Sequence, residues 1–164
     1  MIKFFLGLAI IVFTSWCGRL LARKYRQRQQ FFKQLREFNE RFINEITYYR
    51  RPIKEFIFAY TYQGAFEELL KDFLDELKEN SSPFRSLQFN EKYPFLKEEE
   101  RQVIENYFLM LGRGDSVSQK GYFSALKEEL KKLEMDTESE AKRYIDLYVK
   151  IGFLCGLLVL ILII

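Results

Sequence analysis

The chain has 164 residues, of which 48% are hydrophobic and 30% are charged, and its net charge is +3. That length suits one domain. The charged fraction excludes a polytopic transporter, and the hydrophobic fraction excludes a disordered chain. The sequence contains no His, which excludes histidine metal sites and His-dependent catalytic triads.

The N-terminal end is apolar. Residues 4–18 carry no charge, and counting past Arg19 to Ala22 brings the stretch close to the roughly 20 residues that span a bilayer as a helix. The arginine side chain can reach the interface from within such a helix. Residues 1–22 are therefore predicted to form a transmembrane anchor.

A cleaved signal peptide is the alternative for this end, because Lys3 and a short apolar core resemble its first two regions. The expected small residues at a cleavage site are missing, since Trp16 precedes Cys17 and basic residues follow. The same tryptophan disfavours a lipidated cysteine. We expect the anchor to remain uncleaved.

Positive charges set the predicted topology. No acidic residue precedes Glu37. The basic residues next to the apolar ends are Arg19, Arg23, Lys24, Arg26, Arg28 and, before the second end, Lys150. Positive residues that flank membrane helices stay cytoplasmic, so residues 23–149 should face the cytoplasm and both termini should point outward.

A nucleic-acid patch is the alternative interpretation of these basic residues. Beside a membrane anchor, basic residues more often set the topology or contact anionic lipids, so no nucleic acid is expected as a partner.

The middle of the chain is predicted to form helices. Apolar residues from Phe31 to Tyr49 recur every three or four positions, which predicts one helix that continues from the membrane. Further helices are expected over residues 52–62 (ended by Gly64), 65–79, 96–111 and 116–149, with a turn at 80–83 and no clear period over 84–95. The predicted fold is all-α, an antiparallel bundle of about five to six helices flanked by N- and C-terminal transmembrane helices. The acidic runs in these helices are interpreted as solvated faces.

The loop before the last helix is singled out as a helix corner. Ser116 and Gln119 have the spacing of a capping box, and Asp115 can also cap the helix. The corner residues proposed for partner contact are Leu111, Gly112, Asp115, Gln119 and Lys120. A plain helix cap without a partner is the alternative.

The C-terminal end, Ile151–Ile164, is apolar without a break, and Tyr148 and Lys150 extend it toward a full span. Residues 150–164 are therefore predicted to form a second transmembrane anchor. Gly152 and Gly156 form a small-xxx-small pair, which permits close helix contact in lipid. Its expected partner is the first anchor, which carries Gly7 and Gly18.

Catalytic patterns are missing from the sequence. Residues 112–120 have the wrong spacing for a phosphate-binding loop, and the carboxylates form helix-face runs with no His or Cys beside them. We expect no enzyme activity, no cofactor and no catalytic, cofactor-binding or metal-binding residues.

Several motifs together resemble a known family. They are T-x-W-x-G at residues 14–18, QLR at 34–36, EI-x-Y at 45–48, LMLG-x-x-D-x-x-SQK at 109–120 and KIGFL-x-GLL at 150–158. In this order they resemble the stage III sporulation protein AB family of endospore-forming bacteria, over nearly the whole chain apart from residues 64–95. That family is similar to the cytoplasmic helical domains of the inner-membrane platform proteins of type II secretion and type IV pilus systems.

The resemblance implies a membrane platform of the channel between mother cell and forespore. The implied location is the mother-cell membrane around the forespore, and the implied partners are the stage III sporulation protein AA ATPase in the cytoplasm and other channel membrane proteins. A homo-oligomer of the chain is also compatible with the platform role. The alternative function, from a different class, is a two-anchor membrane sensor or regulator without an ATPase partner.

Overall fold

The computed structural model describes residues 2–49, 51–79, 92–111 and 115–163, with the backbone alone for residues 2–8, 79 and 163. The regular structure in this part of the chain is helical throughout. The elements are α1 (Ile2–Leu21), α2 (Arg23–Asn44), a π-helical turn (Glu45–Tyr49), α3 (Ile53–Phe58), α4 (Ala65–Glu79), α5 (Glu98–Met110) and α6 (Ser116–Ile163). The predicted all-α class is confirmed, while the predicted turn at 80–83 and most of 84–95 lie outside the described residues.

The first long helix differs from its prediction. The expected single helix up to Tyr49 is divided at Ala22 into α1 and α2, although the Ala22 N–H donates to the Gly18 carbonyl at 3.2 Å and the Arg26 N–H donates to the Ala22 carbonyl at 3.5 Å. It ends in the π-helical turn. The cause of its termination is local. The Arg51 backbone N–H donates to the Glu45 carboxylate at 3.1 Å, so a side chain replaces the next helical acceptor.

Helix α3 is shorter than predicted. It ends at Phe58 rather than near residue 62, because Tyr60 leaves the helix and packs its ring at 5.6 Å from Phe56 and over Arg41. Gly64 does not end this helix. It has a left-handed φ of 61° just before α4, and its carbonyl accepts the Glu68 N–H at 3.1 Å.

Helix α4 has the bounds that the sequence predicted, and its expected apolar face is buried. The buried residues are Phe66, Leu69, Leu70, Phe73 and Leu74, with Leu77 partly buried. One interpretation of the acidic runs was wrong: Glu100 of α5 is only 4% exposed, and its carboxylate accepts the Lys97 N–H at 2.9 Å. This residue caps the start of α5 instead of facing solvent.

The chain forms two compact units. Residues 1–29 and 135–164 make the terminal unit, and residues 30–134 make the central unit. The predicted limits at residues 22 and 150 concern the membrane boundary and stay predictions.

The core of the central unit is aromatic. The Phe38 ring lies 5.2 Å from Phe56, 5.8 Å from Phe66 and 6.2 Å from Tyr107. One polar side chain is buried among these rings: Asn39 donates to the Phe123 carbonyl at 3.1 Å and accepts from the Tyr107 hydroxyl at 3.3 Å. Burial raises the pKa of Tyr107 well above its ordinary value, so the hydroxyl stays protonated and remains a donor.

Candidate functional site

The terminal unit is held by close backbone contact between α1 and the apolar end of α6. A Cβ atom on Gly18 would lie 2.5 Å from the Tyr148 carbonyl oxygen, and one on Gly152 would lie 2.6 Å from the Thr14 carbonyl oxygen. At Gly156 a Cβ atom would lie 2.8 Å from the Ile11 Cα. The two helices therefore run antiparallel, and all three glycines lie where no side chain fits.

Gly152 and Gly156 thus lie against α1, the helix that the sequence analysis named as their partner. Gly7 lies outside the residues whose surroundings the structure describes. Thr14 contributes to the same contact, because its hydroxyl donates back to the Ile10 and Ile11 carbonyls at 3.0 and 3.1 Å. A threonine that satisfies its own polar group in this way suits an apolar environment.

Large apolar side chains cover the outside of this helix pair. More than half of the side-chain surface is exposed at Val12, Phe13, Trp16, Leu154, Leu158, Ile161 and Leu162. An exposed apolar surface of this extent is typical of a membrane or partner contact. Among the described residues, one helix, α6, is long and apolar enough to cross a bilayer by length and composition. The N-terminal anchor stays a prediction.

The basic residues chosen for topology fall into two groups. Arg19, Arg23, Lys24 and Arg26 are exposed, and so is Lys150, which pairs with Asp146 at 2.6 Å. Arg28 is different, because it is buried and paired with Glu140 of α6. Sequence reasoning missed this pair, since its members are 112 positions apart.

Tyrosines gather beside these charges. The Tyr25 ring stacks on Tyr144 with 4.4 Å between centroids, and Tyr148 lies 6.1 Å from Tyr25. Lys24 lies 5.1 Å from the Tyr25 ring. Tyrosines next to basic residues are typical of the headgroup level of a membrane.

At the corner before α6, Asp115 caps the start of the helix. Its carboxylate accepts the Ser118 N–H at 2.7 Å and the Ser118 hydroxyl at 3.0 Å. The N–H bond is the main reason why the pKa of Asp115 lies below its ordinary value. The predicted capping box of Ser116 and Gln119 is wrong, because α6 begins at Ser116 and the capping position is one residue earlier.

The other corner residues differ in exposure. Leu111 and Gln119 are buried, whereas Lys120 is exposed, and Gly112 lies outside the described residues. Val117, which sequence reasoning missed, is 80% exposed beside them. The corner thus presents an apolar and a basic side chain on a capped helix end. Among the described residues, no group of three or more His, Cys, Asp or Glu side chains is placed to hold a metal ion.

Comparisons with known proteins agree with one another. The family model described as stage III sporulation protein AB matches residues 3–164. The chain is similar to stage III sporulation protein AB of Bacillus subtilis (strain 168), with 27% identity over 169 residues and coverage of 99% of each chain. No solved structure matches the chain.

Proposed function

The chain belongs to the stage III sporulation protein AB family, whose role is in sporulation, and on this basis we propose that it is a membrane platform of the mother-cell-to-forespore channel. In this role it lies in the mother-cell membrane around the forespore. Its helical body couples a cytoplasmic ATPase, stage III sporulation protein AA, to the channel membrane proteins that cross the envelope.

The observation that carries the proposal is the construction of the terminal unit. Its two helices touch through glycines at positions 18, 152 and 156, while their large apolar side chains point outward. In water this arrangement would expose apolar surface, at a cost of about 25 cal/mol per Å². In lipid it is favourable, because helix contact there depends on close packing of small residues.

The charges support the proposed orientation. Arg19, Arg23, Lys24 and Arg26 on one helix, and Lys150 on the other, are exposed at the same end of the helix pair as the contact between Gly18 and Tyr148. Retention of these charges in the cytoplasm keeps residues 23–149 on that side and both termini outside.

The corner of the central unit is the proposed contact for the ATPase. Val117 and Lys120 are exposed on a helix start that Asp115 caps, so the contact surface is ordered before a partner binds. An ordered surface loses less conformational entropy on binding.

Co-purification of the full-length protein in detergent with the ATPase tests the platform role. We expect the wild-type protein to retain the ATPase, and the double change Val117→Ser with Lys120→Glu to release it at an unchanged melting temperature. Lys127→Glu changes an exposed lysine elsewhere on the same helix and should retain the ATPase. A folded wild-type protein that purifies without the ATPase would contradict the platform role and favour the regulator.

Asp115→Ala separates capping from contact at this corner. Loss of the bond to the Ser118 N–H should lower the melting temperature, since N-cap residues stabilise helix starts. If partner binding falls only in proportion to stability, Asp115 acts as a cap. Lost binding at unchanged stability would instead identify it as a contact residue.

A further inference from the structure

The terminal unit carries four exposed cations within eight residues, at Arg19, Arg23, Lys24 and Arg26. In the part of the chain that the structure describes, none of the four forms an ion pair. Lys24 differs from the three arginines, because its ammonium group lies near the Tyr25 ring. The hydrogen-bond donors of the three guanidinium groups are therefore left to solvent or to a ligand.

The acidic side chains of the same unit are committed to other cations. Three of the four pair as follows: Glu138 with Lys142, Glu140 with Arg28 and Asp146 with Lys150. The fourth, Asp136, lies one helical turn beyond Glu140 on the side away from the apolar ends. The described acids of the unit thus leave Arg19, Arg23 and Arg26 without a counter-charge.

The three arginines lie on one side of the helical path. Spacings of four and three residues bring successive side chains to neighbouring positions on a helix surface. Helix-type hydrogen bonds cross the junction of α1 and α2, because the Ala22 N–H donates to the Gly18 carbonyl and the Ala22 carbonyl accepts the Arg26 N–H. Like charges at this spacing repel one another, so an anion beside them relieves the repulsion. We name Arg19, Arg23 and Arg26 the arginine stripe.

Large apolar side chains continue the stripe toward the N-terminus. Trp16 lies three residues before Arg19 and is 57% exposed, and Val12 lies four residues before Trp16 and is also exposed. Tryptophan is enriched where the hydrocarbon of a membrane meets the headgroups. The order along this side of the helix is apolar, aromatic and cationic, which matches the acyl chain, the glycerol level and the phosphate of a phospholipid.

We propose that the arginine stripe binds the phosphate of an anionic phospholipid through its guanidinium groups. The inference rests on the proposed membrane function, because it needs α1 in the bilayer. Guanidinium groups bind phosphate through two parallel hydrogen bonds, and basic residues beside membrane helices bind anionic headgroups. Lipid binding is distinct from the topological role of the same residues, since topology depends on positive charge alone whereas paired hydrogen bonds need the planar guanidinium.

The test uses the full-length protein in detergent, where lipid binding does not depend on insertion or orientation. Native mass spectrometry compares phosphatidylglycerol, which is anionic, with phosphatidylcholine, which has no net charge. The wild type should bind phosphatidylglycerol at least about tenfold more tightly, since each basic residue beside an anionic headgroup contributes several-fold. The triple change Arg19→Gln, Arg23→Gln and Arg26→Gln should bind the two lipids equally. A triple variant that keeps the wild-type preference would overturn the proposal.

Replacement of the same arginines by lysine tests the guanidinium groups. Arg19→Lys with Arg23→Lys and Arg26→Lys keeps every positive charge of the stripe. This variant should bind phosphatidylglycerol about threefold more weakly than the wild type, because lysine lacks the planar fork that matches a phosphate. Equal binding by the lysine variant would overturn the assignment to the guanidinium groups.

A matched control removes the same charge from another part of the chain. Lys127→Gln with Lys131→Gln and Lys132→Gln changes three exposed lysines of α6 in the central unit. This control should keep the wild-type lipid preference, whereas an equal loss would overturn the proposal and show that net charge alone decides binding. Circular dichroism should give the wild-type helical signal for every variant, because none of the substituted side chains is buried.

Competition identifies the occupant of the stripe. Inorganic phosphate or an RNA oligonucleotide, at the concentration of the lipid, should not displace phosphatidylglycerol, because neither has acyl chains to contact Val12 and Trp16. Displacement by either would overturn the proposal and assign the stripe to that anion.

Vesicles of phosphatidylglycerol and phosphatidylcholine separate this inference from the proposed function. A wild type that enters the vesicles but shows no lipid preference would overturn the lipid site alone. A wild type that stays outside the vesicles would contradict the proposed membrane function as well.

Discussion

The two units of this protein place similar apolar residues in opposite ways. In the central unit, Phe38 is fully buried and surrounded by other rings, whereas in the terminal unit Phe13 is 61% exposed and the helix contact is made by Gly152 against Thr14. Water drives apolar side chains inward, while lipid leaves close contact to small residues. The comparison supports the proposal that the terminal unit lies in lipid and the central unit in water.

The largest expected effect is the difference in stability between a variant that loses a phenyl ring from the central unit and one that loses a ring from the terminal unit. Phe38→Ala should cost about 3–5 kcal/mol of unfolding free energy, because it leaves a cavity in a packed core. Phe13→Ala should change stability by less than about 1 kcal/mol, because the ring contributes little to the protein interior. Denaturant unfolding of the full-length protein in detergent measures both. Equal losses in the two variants would contradict the comparison.

Replacement of the buried Asn39 side chain tests whether the core of the central unit tolerates an unpaired polar group. Asn39→Leu removes the partner of the Phe123 carbonyl and of the Tyr107 hydroxyl, so the unfolding free energy should fall by about 1–3 kcal/mol. Asn106→Leu, on the exposed face of α5, is the matched control and should change it by less than about 0.5 kcal/mol. A loss at Asn106 as large as that at Asn39 would be incompatible with the network described here.

Two glycines of α6 should respond to the same substitution with opposite signs. Gly152→Ala places a methyl group against the backbone of α1, and such overpacking should cost about 1–3 kcal/mol. Gly121→Ala meets nothing within 4 Å and should stabilise the helix by up to about 1 kcal/mol. Thermal unfolding monitored by circular dichroism compares them. A stabilising Gly152→Ala would show that the helices of the terminal unit are not in close contact.

The smallest effect is a pH dependence of the central unit. The hydrogen bonds from Arg51 hold the pKa of Glu45 below its ordinary value near 4.5. A lowered pKa contributes stability that is present above the unfolded value and is lost as the pH falls through the folded value. Glu45→Gln should therefore lower the melting temperature near neutral pH, and the difference from the wild type should shrink below about pH 4.5.

Glu55→Gln, at an exposed position of α3, is the control for this titration and should leave the pH profile of melting unchanged. A difference between Glu45→Gln and the wild type that stays constant down to low pH would show that the ion pair does not contribute through the titration of Glu45.

Features set by neighbouring residues were predictable from the sequence. The bounds of α4 follow from a regular apolar period after Gly64. Gly152 and Gly156 have the spacing of a helix-packing pair, and a Cβ atom at either position would meet α1.

Features that depend on particular side-chain pairs were not predictable. The ion pair between Arg28 and Glu140 joins residues that are far apart in the chain, so no local pattern indicates it. The end of the π-helical turn depends on the Glu45 carboxylate, which accepts the Arg51 N–H. At this turn a side chain replaces a backbone acceptor, which periodicity does not represent.

Labelling of a single cysteine in non-sporulating cells that express the protein in the plasma membrane tests the central claim most directly, because an external reagent reaches the outer face of that membrane. Cys17 and Cys155 are first replaced by Ala, and Val117→Cys then provides one exposed thiol on the central unit. A membrane-impermeant maleimide should label this thiol only after the cell membrane is opened, because the proposed orientation places the central unit in the cytoplasm. Labelling of residue 117 in intact cells would contradict the proposed membrane platform.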